Sequence, residues 1–150
     1  MKAVLLPPSS SRRPLPKRPV CRFVILYEDY LAVERAEAFC EKMTHKLHME
    51  TICRKEAWSF QVLQQFPDIA RMTAKGAAEH ADFIILSLDG FAELPAHVKA
   101  WLKTWARGGG VRLGDQKHAL ITLFNELSLR EGACASTKAY LDRFTNRLRN

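Results

Sequence analysis

Several features are missing from this chain, and each absence removes a class of function. No apolar stretch approaches the length that spans a bilayer. The opening Met1-Lys2-Ala3-Val4-Leu5-Leu6 meets Pro7-Pro8 too early to form a signal-peptide apolar region. A cytoplasmic setting with no membrane partner is therefore expected. The four cysteines, Cys21, Cys40, Cys53 and Cys134, form no C-x-x-C pair and no zinc-finger spacing. Small buried thiols at Cys40 and Cys53 are expected instead of a metal or redox centre. No G-x-S-x-G elbow occurs, and Ser87 has no evident histidine base, so a hydrolytic triad finds no support. The one glycine run, Gly108-Gly109-Gly110 before Val111-Arg112-Leu113-Gly114, lacks the closing Gly-Lys-Ser/Thr of a phosphate loop and reads as a flexible linker.

Acidic residues are also absent from residues 1–20, where Lys2, Arg12, Arg13, Lys17 and Arg18 contribute five of the seven net positive charges. Residues 21–150 carry only the remaining +2, so the basic balance belongs to a leader and not to a groove. Within it, PPSSSRRPLPKRPV has five prolines and three serines, too little apolar surface to offset ordering entropy. The expected organisation is a disordered leader over 1–20 and one α/β domain over 21–150. Any nucleic-acid contact is expected to be weak and confined to the leader.

Two apolar runs stand out against this background. Phe23-Val24-Ile25-Leu26-Tyr27 ends on Glu28-Asp29, and Phe83-Ile84-Ile85-Leu86 ends on Ser87-Leu88-Asp89-Gly90. Both are continuous and rich in β-branched or aromatic residues, as buried parallel strands are when helices cover both faces. Further strands are expected over about 49–54 and 119–124. Helical stripes follow them: Ala32, Ala36, Phe39, Cys40, Met43 and Leu47; then Ile69, Met72, Thr73, Gly76 and Ala77 after Pro67. Small residues at 76–78 are expected to let that second helix sit close to the sheet. Val98, Trp101, Leu102 and Trp105 follow Pro95, and Tyr140, Leu141, Phe144 and Leu148 follow a Ser136 or Thr137 cap. This alternation predicts a three-layer αβα sandwich with a parallel sheet in the order 2-1-3-4. Four strands are readable. A fifth has no clear sequence, which would leave strand four as an edge.

In that order the chain reverses between strands one and three, the place where open α/β sheets put their sites. Glu28, Asp29, Ser87 and Asp89 would meet there, the carboxylates suited to a hard cation such as Mg²⁺. The acidic Glu28-Asp29-Tyr30 turn would repel a flavin phosphate. Residues 22–126 resemble the receiver domains of two-component signalling, within the wider flavodoxin-like group. Glu28-Asp29 stands where receivers carry an acidic pair. The resemblance puts their phosphoaccepting aspartate at Ser87, with Asp89 two residues later. Their strand-four hydroxyl falls near Phe124-Asn125, and their strand-five lysine has no counterpart. The resemblance implies a degenerate receiver.

Glu41, His45 and His48 fall on one helix face but lack a fourth metal ligand. The aromatics offer more: Trp58 and Phe60 in an apolar connection over 56–66, and Trp105 on its helix, are candidates for an interaction surface. The expected function is that of a non-enzymatic receiver-like signalling or protein-interaction domain with a protein partner or a second copy. The alternative is a Mg²⁺-assisted enzyme or small-ligand protein using the acidic crevice.

Overall fold

A computed structural model describes residues 20–46, 52–110 and 119–149. Residues 1–19 of the expected leader lie outside them, while its last residue, Val20, opens β1; the expected start of strand two, His48, and the connection over 111–118 also lie outside. The elements are β1 (Val20–Tyr27), α1 (Tyr30–Lys46), β2 (Ile52–Ser59), α2 (Phe60–Gln65), α3 (Pro67–His80), β3 (Phe83–Leu88), α4 (Ala96–Trp105), β4 (Ala119–Phe124), α5 (Glu126–Glu131) and α6 (Ala135–Arg149). A single wider, π-helical turn over Ala106–Gly110 extends α4.

All three strand pairings are parallel, and the order is β2-β1-β3-β4. The fold is therefore the expected flavodoxin-like α/β sheet. β1 and β3 fill its centre because both of their faces are covered; Ile25, Leu26, Ile85 and Leu86 are wholly buried. Among the described residues no fifth strand follows β4, which forms one edge of the sheet.

The two faces are covered unequally. Val24, Leu26, Ile84, Leu86 and Leu88 pack against residues of α2, α3, α4 and α6. On the opposite face Phe23, Ile25 and Ile85 meet α1 through Ala36 and Cys40. Ile121 and Leu123 of β4 lie at the margin of that smaller cluster, only partly buried.

The second strand departs from expectation. β2 starts within the stretch read as a strand but runs on to Ser59, through the first four residues of the expected connection, and α2 takes most of the rest. Ser59 then caps α2, its Oγ accepting from the Val62 N–H at 3.1 Å. An edge strand has one neighbour and tolerates charge, so Arg54-Lys55-Glu56 carries no alternating apolar signal. Of the expected aromatic surface, Phe60 and Trp105 are corrected. Phe60 is buried in the core under α2, and Trp105 is 1% exposed beside Trp101. The helical tryptophans lie in an apolar stripe, and such a stripe packs inward. Trp58 alone remains partly exposed.

Candidate functional site

The acidic crevice is built from three chain segments. β1 ends at Tyr27 and delivers Glu28 and Asp29; β3 ends at Leu88 and delivers Asp89. The register sets Tyr27 opposite Ser87, and the Glu28 N–H donates to the Ser87 carbonyl at 3.0 Å. Each of the three carboxylates offers an oxygen within 4.8 Å of the other two. Among the described residues this is the one group of three ligand-type side chains so placed.

Two of the carboxylates also hold the backbone. Asp29 caps α1, with Oδ1 accepting from the Ala32 N–H at 2.9 Å. Glu28 Oε1 accepts from the Asp89 N–H at 3.0 Å, tying the two strand ends together. Gly90 follows at φ +90°, a conformation favouring glycine; a Cβ there would stand 2.6 Å from Ser128 Oγ.

Arg35 supplies the charge that sequence reasoning missed. Its Nη1 donates to the Leu88 carbonyl at 3.1 Å and reaches Ser87 Oγ at 3.5 Å. Its Nη2 stands 3.8 Å from Asp89 Oδ1, which has no hydrogen-bond partner. A signal existed: Arg35 interrupts the stripe Ala32, Ala36, Phe39, where a charge must find a partner.

The electrostatics follow from this geometry. A hydrogen bond with Asp29, then burial and the charges of Asp29 and Glu28, push Asp89 up to about 6 against the counteracting Arg35. The same bond holds Asp29 below the usual carboxylate range, despite its partial burial. As pH falls through about 6 the pair takes up its first proton, on Asp89. Chemically, such a cluster can exchange that proton for a divalent cation, with binding that strengthens as pH rises.

Ser87 behaves differently from its neighbours. It is fully buried, and its hydroxyl donates to the Ala32 carbonyl at 2.7 Å. The position that the receiver resemblance assigns to the phosphoacceptor is part of the packing between β3 and α1. Asn125 lies beyond β4, where its side chain caps α5 by accepting from the Leu127 N–H.

Two of the cysteines are poor nucleophiles. Burial pushes Cys21 and Cys40 up to about 11, so both remain thiols at neutral pH. All four cysteines are free. No helix among the described residues is long and apolar enough to cross a membrane.

A second concave feature lies away from the crevice. Between the outer part of β2 and α3 runs a groove of about 560 Å³, bounded by Arg54, Trp58, Ile69, Met72, Gly76 and His80. Comparison of the chain with protein families, curated proteins and solved structures finds no match.

Proposed function

We propose that this protein is a receiver-like signalling or interaction domain that acts by contact and not by catalysis. The observation that carries the reading is the commitment of the strand-end groups to structure. Ser87 is buried against Ala32, Asp29 caps α1, and Glu28 holds the Asp89 N–H. A phosphoryl acceptor needs a free oxygen facing the crevice, and the residue at that place has none. The partly exposed Trp58 on β2 and the exposed Met72 on α3 supply contact surface instead.

One observation favours the second reading, a cation-assisted enzyme or small-ligand protein. The three carboxylates meet at a separation that suits one divalent ion, and Mg²⁺ takes oxygen ligands at about 2.1 Å.

Thermal melting with Mg²⁺ and beryllofluoride, on the wild type and Asp89→Asn, separates the two. The interaction-domain reading predicts no ligand-induced shift in either protein. A stabilisation of the wild type that Asp89→Asn abolishes would assign the crevice a working cation or phosphoryl site and replace the first reading with the second.

A further inference from the structure

The groove between β2 and α3 has a polarity of its own. The parallel register pairs Arg22 with Arg54 and Leu26 with Trp58. Strand alternation puts Arg54, Glu56 and Trp58 on one face of β2, the face turned toward α3. Arg22 and Arg54 are thus like charges directly across two strands, an arrangement that disfavours the folded sheet. Among the described residues neither guanidinium forms an ion pair; the pairs formed are Arg35–Asp89, Arg71–Asp68, His80–Glu79 and Arg130–Glu126. The carboxylate of Glu56 is engaged by the Trp58 indole N–H at 2.5 Å. One end of the groove therefore carries Arg22, Arg54 and Lys55, only partly offset by Glu56 and by Asp82, whose Oδ2 accepts from the Arg22 N–H at 2.8 Å, and the other is apolar, with Trp58, Ile69 and Met72.

Gly76 adds an independent observation. It sits inside α3 and lines the groove, and a Cβ there would meet no atom within 4 Å. A helix-interior glycine is unfavourable relative to alanine, and internal packing does not call for this one. A ligand lying close against the helix backbone does call for it. The outer edge of β2 is unpaired among the described residues, so its backbone groups can receive another strand.

We propose that this groove binds an extended acidic segment of a partner protein, with carboxylates against Arg22 and Arg54 and an apolar side chain beside Trp58 and Met72. The inference rests on the interaction-domain reading and names the class of partner. Charge complementarity selects it. A second copy meeting the groove through the same face sets its own Arg22, Arg54 and Lys55 against these cations. Nucleic acid presents a phosphate at every nucleotide, while the cations here gather at one end and Glu56 lies between them and Trp58. A peptide alone can place acid at one end and apolar surface at the other.

Fluorescence anisotropy with two labelled peptides of about ten residues tests this. One carries an aspartate-rich half before a Val-Leu-Phe half, and the other has the reverse order, because a strand can add parallel or antiparallel. One of the two is expected to bind, and to lose at least about tenfold in affinity on Arg54→Glu and on Gly76→Leu. Both substitutions lie outside the core, and melting curves confirm that each variant folds. A peptide with lysine in place of aspartate is expected not to bind. Binding by neither acidic peptide, or equal binding by both variants, overturns the proposal. So does an oligothymidylate that displaces the peptide, or a dimer that Gly76→Leu dissolves. Peptide failure beside a crevice inert to Mg²⁺ and beryllofluoride removes only this partner class. A responsive crevice removes the underlying reading.

Discussion

At the scale of single residues, Asp89 decides how stability responds to pH. Its pKa in the fold stands near 6, against 3.8 for the free side chain. The native state therefore binds more protons than the unfolded chain between those values, and this group's contribution falls as pH rises through the window. Asp29 has the opposite sign: its depressed pKa contributes stability above the ordinary carboxylate range, lost on acidification. Asp89→Asn removes the first titration and keeps a donor for Asp29. It is expected to raise stability at pH 8 on the order of 1 kcal/mol, a gain that shrinks below pH ~5. Urea melts at several pH values check this; a loss of stability at pH 8 contradicts it.

Two glycines give opposite predictions for the same change. Gly76→Ala meets open space in a helix interior and is expected to stabilise by roughly 0.5–1 kcal/mol. Gly90→Ala would force a Cβ against Ser128, Cys134 and Phe124 at φ +90°, at a cost of roughly 2–4 kcal/mol. Equilibrium unfolding of the two variants side by side reads both signs. The sequence pattern suggested that Gly76, Ala77 and Ala78 together bring α3 close to the sheet. The alanines are buried and do so, while Gly76 faces the groove.

At the scale of elements, what was legible depended on burial. β1 and β3 were readable because two covered faces demand unbroken apolar sequence, and β4 because Ala-Leu-Ile-Thr-Leu-Phe nearly meets that demand. β2 was half missed because an edge strand escapes that demand, and α2 because six residues carry too little periodicity. The strand-end acids were visible as residues, but their division into cap, tie and proton holder was not. That division depends on contacts such as Glu28 with Asp89, sixty-one residues apart. The capping role is testable: Asp29→Ala is expected to cost about 1 kcal/mol through the start of α1. It should also bring Asp89 back toward the ordinary carboxylate range, since its hydrogen-bond partner and a neighbouring charge disappear. Carboxyl NMR titration of Asp89 reads the second effect, and an unchanged Asp89 would show that Asp29 is not its partner.

At the scale of the whole molecule, the parallel order and the switch point followed from connectivity rules, and these hold whatever the side chains do. The same rules bring the acids together without stating whether anything binds there. The uneven cover of the sheet adds what the rules omit. A charged edge at β2 beside an open groove is a surface that a partner can complete. Contact at that edge, with the crevice acting as a structural tie, is the central claim. Amide NMR spectra recorded during successive additions of millimolar MgCl₂ and the acidic peptide test it most directly. The account predicts that Mg²⁺ leaves the amides of Glu28, Asp29, Ser87 and Asp89 in place, and that the peptide moves those of β2 and α3. Shifts at the four crevice amides with Mg²⁺, and none along β2 with peptide, would contradict it.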